Sequence, residues 1–131
     1  MLQMKQINLE TYLRDNHLLL IFAPKSHHQD YQRQIDMFRE RTPALNHRDL
    51  LMFHLFEEEP GYFGNRVIAP EAACITRRRL NVQPGEFAIV LLGKNGQVQL
   101  RSDRPTHPDG IFALIDSGMR RQWGIRAKAI A

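Results

Sequence analysis

The residues best placed for chemistry follow the first apolar run. His17–Ala23 leads into Pro24-Lys25-Ser26-His27-His28-Gln29-Asp30, and an amphipathic helical pattern comes next. A strand tip that opens into a helix N-terminus suits anion or thiolate chemistry, because unpaired backbone N–H groups and the helix dipole both favour negative charge. This sequence puts Ser26, His27 and His28 there, and no cysteine. A serine in that place ordinarily caps the helix and satisfies its backbone N–H groups. To act as a nucleophile it needs a base. His27 and His28 are near in sequence, but adjacent side chains point in different directions and no third group stands out to orient either ring. The reading is a capping or loop-packing serine in a rim, Pro24 to His28, that contacts an anion or a partner.

Cys74 is the only cysteine and falls in the first half of a short helical segment. Near a helix N-terminus, with Arg77 and Arg78 one turn away, its thiolate could be stabilised. A free cysteine more often serves as a small buried apolar residue. Arg77-Arg78-Arg79 cannot share one helix face, since successive residues turn by about 100°. The default for this run is a solvated surface, with an anion or acidic-partner contact as the sharper alternative. Six histidines, His17, His27, His28, His47, His54 and His107, invite a metal reading. Their spacing lacks the paired ligands and second cluster of a zinc site, so no metal is expected. His54 lies within a strand and is read as packed and hydrogen-bonded. Glu57-Glu58-Glu59 is read as a solvated acidic triplet, or one that holds a cation. The glycines around Lys94 belong to a hairpin signal, not to a phosphate-binding loop.

The elements that must position these residues follow from hydrophobic pattern. Leu18 to Phe22 is continuously apolar, as in a strand buried on both faces. Asp30 can cap the next helix, on which Tyr31, Ile35 and Phe38 form one stripe. Pro43 should end or kink it. Leu50–Phe56 reads as a second buried strand, and the stretch from Glu57 to Ala69 as a loop. Pro70 suits the first turn of a helix over Glu71–Leu80, with Asn81 as a left-handed cap. Phe87–Leu92 is a third strand. Asn95-Gly96 signals a hairpin to a fourth strand, on which Val98 and Leu100 alternate inward. Thr106 and Asp109 resemble a capping box for a last helix that aligns Phe112, Ile115 and Met119, with Gly118 placed to stop it.

The order is strand, helix, strand, helix, strand, strand, helix. The first two strands, joined by a helix, should be parallel with a right-handed crossover, and the last two antiparallel. This predicts an α/β, thioredoxin-like fold with a four-stranded mixed sheet (β-α-β-α-β-β-α) and helices on both faces. One domain of 131 residues is expected, with a core over about residues 17–118 and peripheral terminal segments.

Composition excludes several classes. The 18 Lys and Arg against 14 Asp and Glu give a net charge of +4, which suits acidic partners but lacks the dense basic stripe of a nucleic-acid binder. A single thiol allows neither an internal disulfide nor a Cys-x-x-Cys redox pair. No apolar run approaches the roughly 20 residues of a membrane span. Met1-Leu2-Gln3-Met4-Lys5-Gln6 has no basic start, apolar centre or small-residue cleavage site. A soluble, cytoplasmic chain is expected from what is present.

Several segments resemble the P-DUDES domain. They are Leu20-Ile21-Phe22-Ala23-Pro24-x-Ser26, Arg48-Asp49-Leu50, Gly93-Lys94-Asn95-Gly96 with Leu100-Arg101-Ser102, and Phe112-Ala113-Leu114-Ile115-Asp116 followed by Met119-Arg120-Arg121. Their order and spacing cover roughly residues 8 to 121. That family includes small bacterial proteins and repeated domains of vertebrate matrix proteins such as equarin and the sushi-repeat proteins. The resemblance implies a thioredoxin-like fold, distantly similar to peroxiredoxins, with no established activity. It also implies that relatives are often exported, and it makes Arg101 and Arg120 secondary candidates for binding. Pro43 interrupts a region more regularly helical in relatives, and Asn81 stands where glycine is more usual. In thioredoxin terms Ser26 falls where the attacking cysteine would be and Gln29 where the resolving one would be. The usual cis-proline position falls near Ala88, with Pro84 a few residues too early.

The expected function is a thioredoxin-like binding module without Cys-x-x-Cys chemistry and without a cofactor. Its binding residues are Ser26, His27, His28, Arg101 and Arg120, and its partner is an unidentified protein or small anionic ligand. The alternative is a single-cysteine, peroxiredoxin-like antioxidant using Cys74, helped by Arg77 or Arg78.

Overall fold

The apolar run that opens the pattern is buried because it has a strand on each side and helices on each face. A computed structural model describes residues 3–46 and 48–116. Along the chain it contains β1 (Gln3–Met4), α1 (Leu9–Leu13), β2 (His17–Ala23), α2 (Gln29–Arg39), α3 (Thr42–Asn46) and β3 (Leu50–Phe56). These are followed by β4 (Gly61–Phe63), β5 (Arg66–Ile68), α4 (Pro70–Arg79), β6 (Ala88–Leu92) and β7 (Val98–Ser102). A last helix, α5, is formed by residues 108–116. The sheet order is β1-β5-β4-β3-β2-β6-β7. β2 pairs in parallel with β3 over its whole length and antiparallel with β6, so its backbone groups are satisfied without water. Leu18 to Ala23 have no exposed surface.

Alternation along the strands divides the core. Leu18, Leu20, Phe22, Phe53, Leu55, Val90 and Leu92 point to one face, where α1 brings Leu9 and Leu13 and α4 brings Ala72 and Ala73. Leu19, Ile21, Ala23, Phe56, Ile89 and Leu91 point to the other, covered by Tyr31 and Phe38 of α2 and Ile111 of α5. The mixed α/β fold, the parallel β2–β3 pair, the antiparallel β6–β7 pair and the helices on both faces agree with the expectation.

The sheet has seven strands, not four. β1, β4 and β5 have two or three residues each, too short to show a period. The expected loop from Glu57 to Ala69 contains the β4–β5 hairpin, paired Phe63 to Arg66 across Gly64-Asn65. Gly-Asn between two apolar runs is itself a hairpin signal, and Gly64 has the positive φ of 60° such a turn uses.

Local corrections have equally local causes. Asp30 does not cap α2. The Lys25 carbonyl accepts the His28 N–H at 3.1 Å, which brings His28 to the cap, where its Nδ1 accepts the Asp30 N–H at 3.3 Å. Asp30 lies in the first turn, where its charge still suits the dipole. The proposed Thr106/Asp109 box does not form either. His107 Nδ1 accepts the Asp109 N–H at 3.1 Å, while the Asp109 carboxylate takes Arg41 Nε at 3.1 Å. α2 ends before Pro43, which enters the first turn of the separate α3. Val98 does not point inward. The register pairs Leu92 with Val98 but Leu91 with Leu100, and the extra residue between them turns Val98 outward while Leu100 packs on the core. Asn81 has the predicted left-handed conformation, with φ 58°. Met119 and Gly118 lie outside the described residues.

Candidate functional site

β2 and β3 end side by side, and the turns that follow them meet. The Pro24 carbonyl accepts the backbone N–H groups of Glu57 and Glu58, both at 3.1 Å. This brings the acidic triplet against Lys25 and Ser26. Glu59 reaches across, and its carboxylate accepts the Ser26 N–H at 2.8 Å and the Ser26 Oγ hydroxyl at 3.0 and 3.2 Å. Gln32 donates to the Ser26 carbonyl at 2.6 Å. Ser26 therefore packs the loop and leaves the capping of α2 to His28. The donors a strand tip offers to an anion are filled here by a carboxylate of the same chain.

Glu57 ties the rim to α4. Its Oε2 accepts the Gly85 N–H at 2.6 Å and lies 3.9 Å from Arg77 Nε. Arg77 is 5% exposed, and its Nε and Nη2 have no hydrogen-bond partner among the described residues. Glu57 supplies a counter-charge at a distance too long for a hydrogen bond. The triplet is thus engaged in the fold at Glu57 and Glu59, and of the three only Glu58 is exposed.

Beneath the rim, on the α2 side of the sheet, Tyr31 Oη lies 2.8 Å from His54 Nδ1 and 2.9 Å from Tyr62 Oη. The His54 and Tyr62 rings stack, with centroids 4.1 Å apart and planes within 14°. They are cross-strand partners on β3 and β4. Gly61 permits this approach, since a Cβ there would lie 1.9 Å from the His54 carbonyl oxygen. Burial lowers the His54 pKa to about 4 and, with the Tyr62 hydrogen bond, raises that of Tyr31 well above its ordinary value. His54 is packed and hydrogen-bonded, as its strand position suggests. Tyr31 reads in the sequence only as an apolar stripe residue, and Tyr62 falls in the supposed loop. Only the pairing of β3 with β4 brings the three together.

The other candidates are dispersed. His27 is exposed on the turn, and His28 stacks against Phe87 with centroids 6.1 Å apart. Arg101 lies on β7, where its guanidinium donates to the Leu80 carbonyl and, at 2.7 Å, to the Asn81 carbonyl. It closes the C-terminus of α4, where a cation also complements the dipole. Beside it an open groove of about 370 Å³ is lined by Glu86, Ala88, Arg101, Ser102 and Asp103. Arg120 and His47 lie outside the described residues. Cys74 is half-buried on α4, and Arg78 Nη2 donates to its Sγ at 3.4 Å, whereas Arg77 turns towards Glu57. Among the described residues no three His, Cys, Asp or Glu side chains converge as metal ligands. None of their peptide bonds is cis, and Ala88, at the usual cis-proline position, opens β6 opposite Phe22. No helix among them is long and apolar enough to cross a membrane.

Comparison with known proteins places this geometry. The reduced 2-Cys peroxiredoxin of Plasmodium vivax superposes with a TM-score of 0.65 over 88% of this chain and 85% of that one, at 17% identity. That likeness is one of fold, and it supports the thioredoxin-like architecture. In sequence, the chain is 27% identical over 112 residues to the sushi repeat-containing protein SRPX2 of Xenopus laevis. It is 26% identical over 111 residues to that of Bos taurus. These matches cover 83% and 82% of this chain but only 24% of each relative, so the chain spans about a quarter of their length. A family model matches residues 8–123, nearly the stretch over which the P-DUDES resemblance runs. With its strand-tip serine in a thioredoxin-like frame, the chain belongs to the family described as a domain of unknown function, DUF4174.

Proposed function

We propose that this protein is a binding module that keeps the thioredoxin-like frame without its thiol–disulfide chemistry. Its contact surface is the rim from Pro24 to His28. The observation that carries this reading is the state of Ser26. It occupies the strand-tip position of an attacking thiol, and both of its donors are held by the Glu59 carboxylate. A hydroxyl so engaged donates to a carboxylate of the fold and not to an imidazole base. Exposed Lys25 and His27 flank it, a cation and a hydrogen-bonding ring that an acidic partner or small anion would meet. Arg101 and Arg120 stand as secondary contacts.

Titration of the isotope-labelled protein with inorganic phosphate and with an acidic peptide tests the rim. Shifts should concentrate at Lys25 to His28 and disappear in the Lys25→Ala, His27→Ala double variant, which changes only exposed side chains of the rim, with the rest of the spectrum unchanged. Shifts centred elsewhere, or unchanged in the double variant, would overturn this reading.

A second reading has one observation in its favour. Arg78 donates to Cys74 Sγ at 3.4 Å, which sets a guanidinium beside the thiol that a one-cysteine antioxidant would use. Substoichiometric peroxide with a sulfenic-acid trap separates the two. An unlabelled Cys74 supports the binding module, and rapid labelling with peroxide consumption supports the antioxidant.

A further inference from the structure

The reading above makes no use of Tyr31, His54 and Tyr62, although their side chains form one hydrogen-bonded and stacked group. Tyr31 is 3% exposed and His54 7%, whereas Tyr62 is 41% exposed and carries the group to the surface. Tyr31 Oη lies 2.8 Å from His54 Nδ1 and 2.9 Å from Tyr62 Oη, and in the His54 tautomer protonated at Nε2 the Nδ1 lone pair accepts the Tyr31 hydroxyl. A phenol sealed from water and hydrogen-bonded to a neutral imidazole has one distinctive chemistry. It can lose an electron without retaining a buried positive charge on its oxygen, because the proton has an acceptor already in place.

We propose that Tyr31 is a proton-coupled one-electron oxidation site, with His54 as its proton acceptor and Tyr62 as its contact with one-electron oxidants in solution. The oxidant, a radical or a high-potential metal complex, gains one electron. The Tyr31 O–H bond breaks and an N–H bond forms at His54 Nδ1, leaving a neutral phenoxyl group and an imidazolium. A one-electron reductant such as ascorbate or a thiolate returns the electron, and the proton moves back to Tyr31 Oη.

Burial disfavours the imidazolium this step creates, and the aromatic ring stacked on it offsets part of that cost. Tyr62 stacks on His54 with ring centroids 4.1 Å apart, so the imidazolium forms against an aromatic face. The negative charge of Glu59 adds to the burial that holds the proton on the Tyr31 hydroxyl. Arg39 acts on Tyr31 in the opposite sense. Phe56 packs edge-on against the Tyr31 ring, centroids 4.9 Å apart, and helps close the site to quenching by water.

Flash photolysis of the whole chain with a ruthenium tris(bipyridyl) complex and an electron acceptor, read by electron paramagnetic resonance, tests the proposal. The wild type should give a neutral phenoxyl radical that outlives the one in Tyr31→Phe by about tenfold or more, and it should form more slowly in deuterated buffer. His54→Phe should slow formation about tenfold and remove the isotope effect, the kinetic counterpart of losing one hydrogen bond in the transition state. Tyr31→Phe retains the ring and its packing, so the test holds even where His54→Phe fails to fold. A radical of equal yield and lifetime in Tyr31→Phe would overturn the proposal. So would a wild-type radical confined to Tyr12, Trp123 or Cys74, or one formed with no isotope effect.

Discussion

Glu59 holds Ser26 by both its backbone N–H and its hydroxyl, through contacts of 2.8, 3.0 and 3.2 Å across 33 residues of sequence. That pair closes the β3–β4 turn onto the β2–α2 turn. Glu59→Ala removes a charged acceptor from two donors and should lower stability by about 1–3 kcal/mol. Urea denaturation of the variant against wild type measures this. A change within error would show that water replaces the carboxylate at no cost.

His54 makes the protein acid-sensitive in a defined window. Burial holds its pKa near 4 against an ordinary 6.5, so the unfolded chain takes up a proton that the folded protein refuses. Stability is therefore full above the unfolded value and falls as pH drops from there towards the folded value, by up to about 1.4 kcal/mol per pH unit. Burial also lowers the pKa of His17, which adds in the same direction. Urea midpoints from neutral pH to about pH 5 should fall in the wild type and fall less steeply in His54→Gln. Parallel curves would place the acid sensitivity at His17 or elsewhere.

Gly61 tolerates no side chain. A Cβ at this position would lie 1.9 Å from the His54 carbonyl oxygen, which belongs to backbone and cannot rotate aside. Gly61→Ala should cost about 3 kcal/mol or more and separate β4 from β3, breaking the contact of Tyr62 with Tyr31. Thermal unfolding followed by tyrosine fluorescence reads both effects. A melting temperature like that of wild type would mean that the hairpin shifts freely.

The Arg77–Glu57 pair should respond asymmetrically to substitution. Arg77 is buried with two donor atoms unpartnered and its counter-charge 3.9 Å away. Arg77→Met replaces an imperfectly paired charge with an apolar chain of similar length, and should be neutral or raise stability by about 1–2 kcal/mol. Glu57→Ala strands the guanidinium and frees the Gly85 N–H, and should cost about 3–5 kcal/mol. Guanidinium denaturation of the two variants gives the order. The reverse order would show that Arg77 is stabilised by contacts other than Glu57.

The frame of this protein was legible in its sequence because the signals involved are local. Five consecutive apolar residues from Leu18 to Phe22 identify a strand buried on both faces, and Asn95-Gly96 and Asn81 mark a hairpin and a helix end through backbone geometry. Such features depend on neighbours a few residues away, and the order of elements follows from them. Short strands carry too few residues to show a period, so β4 and β5 were legible only through the Gly64-Asn65 turn and β1 through no local signal.

The site is a different matter. The positions of Ser26 and the absence of a thiol beside it are facts of sequence. That Glu59 engages Ser26, that Arg77 turns from Cys74 to Glu57, and that Tyr31, His54 and Tyr62 join are decided by the parallel pairing of β2 with β3 and the return of β4. The hydrogen-bonded and ion-paired partners are separated by 20 residues or more and share no periodicity or spacing rule. Which polar group meets which is settled only when the packed core closes the chain around them and every buried donor must find an acceptor.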